Sequence, residues 1–222
     1  MALEVREWGA TEYVDALTRM RALRAERSAG HIPDTLILTE HAAVITVGVG
    51  GADPATLPAG LPVIPVERGG MATYHGPGQL VGYAMVDLAR RGRDVRRFVH
   101  DLEEVVARAV GTMGVPAVRV PGKRGVWVEG TRKIASVGIA VEGWVTFHGF
   151  ALNVDVNLEE FAKFEPCGLP GNVMTSVTRE LGRPVSVAEL HAPVRTAWEA
   201  VFGAPYTRAV DSSAAMVAPA SP

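Results

Sequence analysis

The stretch that decides the fold is AVRVPGKRGVWVEGTRKIASVGIAVEGWVTFHGFALNV, residues 117–154. Its apolar runs predict four consecutive β-strands, at residues 117–120, 125–129, 132–141 and 144–154. The turns between them carry the dipeptides Pro121-Gly122, Glu129-Gly130 and Glu142-Gly143. Such dipeptides suit tight reversals of the chain, so this half of the sequence predicts a meander of hairpins.

Strands and helices alternate on the N-terminal side of this stretch. Apolar residues at helical spacing predict one helix over residues 12–30, capped by Thr11, and another over residues 94–112. Strand-like runs lie at residues 35–38, 43–47, 63–66 and 80–88. Downstream, Asn157 with Glu160 resembles a capping box for a short helix. Ser186 with Glu189 resembles a second one, before a third long helix that Pro193 is expected to kink.

The composition fits one globular domain. The 222 residues are 48% hydrophobic and 21% charged, which is enough apolar surface for a core and excludes disorder of the whole chain. We predict an α+β domain over residues 1–203, with a mixed, mainly antiparallel sheet flanked by helices. Residues 204–222 are small and polar and predict a disordered tail.

Charge and cysteine content narrow the class of protein further. The formal net charge of -2 argues against general affinity for nucleic acid. No run approaches the ~20 apolar residues of a membrane span, and the first ten residues do not resemble a signal peptide. Cys167 is the only cysteine, so no intrachain disulfide forms, which suits a cytoplasmic protein.

The segment RGGMATYHGPGQ, residues 68–79, is the first candidate for chemistry. Five of its twelve residues are glycine or proline, which disfavours a helix or a central strand. Such a segment lets the backbone approach a ligand closely. The alternative is a turn-rich connection between two strands.

Lys133 and Cys167 are the next candidates. Strand alternation places Lys133 on one face with Ala135, Val137, Ile139 and Val141. Desolvation there favours the neutral amine, which can carry a proton. The alternative is a strand-end lysine that reaches water. Cys167 lies in EPCGLPG, a loop-like setting in which a nearby cation would make it nucleophilic. The alternative is a small buried side chain.

Two kinds of site are not indicated, because the sequence lacks their motifs. The six histidines have no metal-ligand spacing, so we expect no metal. Neither a Walker A sequence nor a Rossmann glycine motif is present, so nothing indicates a nucleotide. His148 shares a strand face with Trp144 and Thr146 and is a candidate for lining a pocket.

Four blocks together resemble the lipoate-protein ligase B family, the octanoyl-ACP:protein N-octanoyltransferases. They are RGGMATYHGPGQLVGY, RKIASVG, FHGFALNVD, and EPCGLPG followed by TSV. They occur in the family's order, and the resemblance is strong over residues 34–182. It implies a fold like the catalytic module of biotin and lipoate ligases. One departure is Val49, where relatives often have arginine after T-x-G.

The resemblance also implies an activity. Members of the family move an octanoyl chain from the phosphopantetheine thioester of acyl carrier protein to a lysine of a lipoyl domain, through an acyl-cysteine and without a cofactor. The acceptors are lipoyl domains of 2-oxoacid dehydrogenases and the glycine cleavage H protein. Cys167 matches the nucleophile and Lys133 the acid/base group. The substrate-binding segments match Arg68, Gly69, Gly70, Met71, Ala72, Thr73, Tyr74 and His75; Ser136, Val137 and Gly138; and Gly149, Phe150 and Ala151.

Two other functions remain open at this stage. An ATP-dependent lipoate or biotin ligase would use the same fold but has no need of a cysteine nucleophile. A non-catalytic acyl-binding protein would keep the pocket and leave Cys167 inert. For the acyl channel we expect Val137, Ile139 and Phe150 as lining, and for an acidic carrier protein we expect Arg93 and Arg97 as a docking site.

Overall fold

The computed structural model describes residues 3–164 and 170–203, together with the backbone of residues 206–209. Its strands are β1 (Leu3–Thr11), β2 (Asp34–His41), β3 (Val44–Val47), β4 (Val63–Pro65), β5 (Ala72–His75), β6 (Gln79–Met85), β7 (Ala117–Val120), β8 (Lys123–Val128), β9 (Arg132–Glu142), β10 (Val145–Asn153) and β11 (Tyr206–Ala209). Its α-helices are α1 (Tyr13–Ser28), α2 (Val95–Thr112), α3 (Glu159–Ala162), α4 (Val177–Leu181) and α5 (His191–Phe202).

The strands form two sheets. The large sheet has the order β11-β1-β2-β6-β10-β9-β8-β7, and a small sheet has the order β4-β3-β5. In the large sheet β1 runs parallel to β2 and β11, while the other neighbours are antiparallel. The predicted meander is confirmed as β7 to β10, and so is the α+β class with a mixed sheet flanked by helices.

The central strands of the large sheet are buried on both sides because helices cover both of its faces. Leu36 and Leu38 of β2 pack into a cluster with α2 and α5, whereas Ile37 packs into a second cluster with α1. This follows from the two-residue period of a strand. A third cluster joins the small sheet to α3 through Tyr74 and Phe161. Among residues 3–164 and 170–203, no helix has the length and apolar character needed to cross a bilayer.

Three strands were not predicted from the sequence. One is β5, an edge strand of the small sheet, which lies in the segment 68–79 whose glycines and proline disfavour a central strand. The others are β1 and β11. Both pair in parallel with strands far away in the chain, so no hairpin signal precedes them. The predicted tail begins at residue 204, yet β11 lies within it and pairs with β1. Residues 204–205 and 210–222 lie outside the described residues.

Three helix-end predictions were wrong. The Oδ1 atom of Asn157 accepts a hydrogen bond from the N–H of Glu159, which starts α3 without a capping box. Thr11 does not cap α1, because its hydroxyl contacts that of Thr39. Pro193 lies in the first turn of α5, where its missing N–H is not needed and the helix continues. The capping box of Ser186 and Glu189 is confirmed.

Candidate functional site

A cavity of about 230 Å³ lies where the 68–75 segment crosses β9 and β10. We call it the acyl cavity, after the cargo that the resemblance in the sequence implies. The segment contributes Arg68, Gly69, Gly70, Met71, Thr73 and His75, and the two strands contribute Lys133, Ser136, Val137, Gly138, Gly149, Phe150 and Ala151. Three segments that the sequence singled out separately therefore meet at one place.

Two of the residues that match the family's substrate-binding segments do not line the cavity. Ala72 and Tyr74 pack into the third cluster, on the opposite face of β5 from Thr73 and His75, as strand alternation requires. They support the strand from behind. Cys167 lies outside the described residues.

Lys133 is buried at the start of β9, with 4% of its surface exposed. Its Nζ atom lies 5.7 Å from the centroid of the Trp127 ring. The prediction that it shares a face with Ala135 was wrong. A register shift between β8 and β9 breaks the alternation here, so that Ile134 and Ala135 both pack into the first cluster while Lys133 lines the cavity.

A buried chain of hydrogen bonds runs from the cavity wall to the backbone of Lys133. The Oε1 atom of Gln79 accepts from Nδ1 of His75 at 2.7 Å, and Nε2 of Gln79 donates to Oδ1 of Asn153 at 2.9 Å. Asn153 in turn donates to the carbonyl of Thr175, whose N–H donates to the carbonyl of Lys133. The network fixes the strand that carries the lysine.

Arg68 braces the loop that covers the cavity. Its guanidinium donates to the carbonyl and the hydroxyl of Thr46, both at 2.8 Å, and to the carbonyl of Met71 at 2.9 Å. The N–H of Gly69 donates to the carbonyl of Ile139 on β9. A Cβ atom on Gly138 would lie 3.0 Å from the carbonyl oxygen of Gly69, so a larger residue there would have to push the 68–75 segment outward.

Val49, which stands where relatives often have arginine, lies beside this loop. The Val49 N–H donates to the carbonyl of Arg68 at 3.0 Å, and the side chain is exposed. The backbone contact therefore needs no arginine at this position, because it uses no side-chain atom.

Burial holds the histidines and tyrosines around the cavity uncharged. Burial lowers the pKa of His75 to about 3, with the charge of His41 as the next cause. Burial also lowers the pKa of His148 to about 4, against the opposing effect of Glu67. Burial raises the pKa of Tyr13 to about 12. At neutral pH these three side chains are therefore polar but neutral, which suits an uncharged ligand beside them.

Four lining residues were missed in the sequence: Tyr13, Val81, Tyr83 and Arg124. Val81 and Tyr83 of β6 lie at the end of the block RGGMATYHGPGQLVGY, although they were not singled out, whereas no motif marks Tyr13 of α1 and Arg124 of β8. The Tyr13 ring stacks on that of His75, with centroids 5.7 Å apart. His148 does line the cavity, and its φ of 60° is rare for a residue with a side chain.

Gly149 has no room for a larger side chain. A Cβ atom there would collide with the carbonyl oxygen of Gly82 on β6. We expect Gly149→Ala to lower the free energy of unfolding by about 1–3 kcal/mol through overpacking. Gly111→Ala, in α2 with no atom within 4 Å, is the matched control and should stabilise by roughly 0.5–1 kcal/mol. Urea unfolding measures both, and equal stabilities of the two variants would contradict the crowding.

Acid should destabilise the fold through the buried histidines. Unfolded histidines gain a proton below pH ~6.5, whereas burial holds the folded pKa of His41 and His148 at about 4 and of His75 at about 3. Between these values the unfolded chain binds more protons, so stability falls as the pH falls, by up to ~1.4 kcal/mol per pH unit for each histidine. Above pH ~6.5 their contribution is constant.

Urea unfolding at pH 7, 6 and 5 checks this expectation. His75→Gln should reduce the slope of unfolding free energy against pH by one proton. His31→Gln, on an exposed side chain, is the matched control. A His75→Gln slope equal to that of the unchanged protein would contradict the buried neutral state of His75.

Comparisons with known proteins agree with one another. The model of the lipoyl protein ligase A/B catalytic domain matches residues 12–199. The octanoyltransferase of Geobacter metallireducens is 44% identical over 190 residues, covering 86% of this chain and 89% of that protein. The bi-partite lipoate protein ligase of Thermoplasma acidophilum matches in structure with a TM-score of 0.71 at 16% identity, covering 96% and 89% of the two chains. The biotin protein ligase of Aquifex aeolicus matches with a TM-score of 0.51 at 9% identity, covering 90% and 69%.

Proposed function

Because this chain belongs to the lipoyl protein ligase A/B catalytic-domain family, with octanoyltransferases as curated relatives, we propose that it makes an octanoyl-Cys167 thioester on the way to its product. The chain is an octanoyltransferase, an acyltransferase of protein lipoylation. The donor, the intermediate and the residue roles given below are parts of the proposal.

The proposed reaction has two acyl transfers. The Cys167 thiolate attacks the donor thioester, its carbon–sulfur bond to the donor breaks, and Lys133 gives the leaving thiolate a proton. The neutral amine of the acceptor lysine then attacks the acyl-cysteine, the carbon–sulfur bond to Cys167 breaks, and the neutral Lys133 amine takes the proton that the new amide nitrogen releases. The thiolate of Cys167 is regenerated. Replacing a thioester with an amide is downhill, so the sequence of steps requires no ATP.

The single observation that carries the proposal is the position of Lys133. It is the one lysine among the residues that line the acyl cavity, and it is almost fully buried there. The chain that leads away from Cys167 is tied to the same strand, because Met174 forms a parallel bridge with Lys133. Only two residues, Gly168 and Leu169, separate Cys167 in the sequence from Pro170, where the described residues begin again.

The cavity supports a fatty acyl group as the cargo. Val137 and Phe150 line it as expected, whereas Ile139 packs against the first cluster and does not. Each methylene that enters gains ~0.8 kcal/mol from burial. The neutral histidines and tyrosines leave few charges to oppose an apolar chain.

We propose octanoyl-acyl carrier protein as the donor. The proposed acceptors are the lipoyl domains of 2-oxoacid dehydrogenases and the glycine cleavage H protein. The proposed location is the cytoplasm, where a single cysteine stays a thiol.

Transfer without ATP separates this function from the ligase alternative. The purified protein is incubated with octanoyl-acyl carrier protein and a lipoyl domain, with and without ATP, and the domain is weighed by mass spectrometry. We expect equal octanoylation in both reactions. A requirement for ATP would identify a ligase, and no octanoylation in either would leave a binding protein.

A further inference from the structure

A second cleft of about 580 Å³ opens beside the acyl cavity. It lies between α2 and the β7–β8 hairpin. Its charged and titratable lining residues are His100, Glu103, Arg119, Lys123 and Arg124. We call it the basic cleft, and neither the motifs nor the proposed mechanism uses it.

The cleft has an excess of positive charge. Its only carboxylate, Glu103, is turned inward, where Oε1 accepts from the N–H of Gly125 at 2.7 Å, and burial raises the pKa of this group. Arg119 pairs with Glu104 at 3.3 Å. Lys123 donates to the carbonyl of Gly130, a contact that leaves its charge uncompensated.

Arg124 is the group most open to a ligand. Its side chain is exposed, and no hydrogen bond or ion pair joins it to any residue of 3–164 or 170–203. The five N–H donors of its guanidinium are therefore available to a bound ligand. Its planar fork matches the oxygens of a phosphate.

Arg124 also connects the two openings, because it lines both the basic cleft and the acyl cavity. Its NH1 nitrogen lies 3.7 Å from the position that a Cβ atom would take on Gly69, at the cavity wall. One molecule can therefore place an anionic group in the cleft and an acyl group in the cavity.

We propose that the basic cleft binds the phosphate of the acyl donor, as the phosphodiester of a phosphopantetheine arm, while the acyl chain occupies the cavity. The inference rests on the proposed function, since it assumes a pantetheine thioester as donor. Arg124 and Lys123 supply the charge, and Arg119 borders the site.

The arginines favoured from the sequence are less well placed for this donor. Arg93 lies 5.4 Å from the centroid of the Trp144 ring, at the turn between β9 and β10. Lys133 is at the other end of β9, roughly 30 Å along an extended strand. Arg97 lies 3.6 Å from Asp101, which offsets its charge.

Inhibition of octanoyl-acyl carrier protein turnover tests the proposal. The inhibitors are phosphopantetheine, pantetheine and inorganic phosphate. We expect phosphopantetheine to bind roughly tenfold more tightly than pantetheine, because only it makes hydrogen bonds between charged groups in the cleft. The double variant Lys123→Gln with Arg124→Gln should lose this difference. Arg93→Gln is the matched control and should keep it.

Each other outcome overturns one specific statement. Equal inhibition by the two pantetheine compounds in the unchanged protein overturns the phosphate site, and so does a tenfold difference that survives in the double variant. Inhibition by inorganic phosphate as strong as by phosphopantetheine overturns the link between cleft and cavity. Absence of any turnover from octanoyl-acyl carrier protein would overturn the proposed function instead, which keeps the two failures apart.

Discussion

Lys133→Met is expected to lower kcat for octanoyl transfer by roughly 10²–10⁴-fold, the range that a positioned acid/base group contributes. Methionine has a similar length and fills the buried site without a charge, so the fold should remain. The loss should appear in kcat because the cavity still binds the acyl chain. Steady-state transfer to a lipoyl domain measures it.

Two further variants make this expectation specific. Lys163→Met removes an exposed lysine that pairs with Glu160, and its kcat should be unchanged. Lys133→Arg keeps the cation but gives up its proton far less readily. Because Lys133 gives a proton in the first transfer and takes one in the second, this variant should slow both the attachment of octanoate to the enzyme and its transfer to the amine. Full activity of Lys133→Met, with the thermal unfolding of the unchanged protein, would contradict the acid/base role.

Cys167→Ser is expected to lower transfer by about 10³-fold or more, as losses of an activated nucleophile do. A serine hydroxyl is a far weaker nucleophile at neutral pH than a thiolate, and it also leaves poorly from an ester. Cys167→Ala should be as inactive as the serine variant. Iodoacetamide, which alkylates thiols, should inactivate the unchanged protein, and octanoyl-acyl carrier protein should protect against it.

A different result would identify another mechanism. If Cys167→Ala transfers octanoate at the rate of the unchanged protein, the acceptor lysine attacks the donor directly and the proposed intermediate does not exist. Since Cys167 is the only cysteine, no second thiol in the chain can take its place.

The local signals in the sequence predicted the fold where neighbouring strands are also neighbours in the chain. Turn dipeptides and apolar runs define β7 to β10, and the stripe of α2 begins at Val95 as expected. They did not predict β1 and β11, whose partners are remote. Strands that pair in parallel with remote partners have no tight turn between them, so only the tertiary structure reveals the pairing.

The functional site was likewise predicted where a local motif marks it and missed where residues come from elsewhere in the chain. The motif segments of β5, β9 and β10 were predicted and meet at the acyl cavity, whereas Tyr13 and Arg124 reach it from elements without a motif. Alternation failed at Lys133 because a register shift with β8 reverses the faces there. A bulge of this kind depends on the pairing of two strands and leaves no mark in one of them.

The most direct test is the mass of the protein after brief exposure to octanoyl-acyl carrier protein without an acceptor. Intact-protein mass spectrometry should find one added octanoyl group, peptide mapping should locate it on Cys167, and hydroxylamine should remove it. Addition of a lipoyl domain should move it to that domain. An acceptor that becomes octanoylated while the enzyme never carries the group, or carries it on a residue other than Cys167, would contradict the proposed thioester.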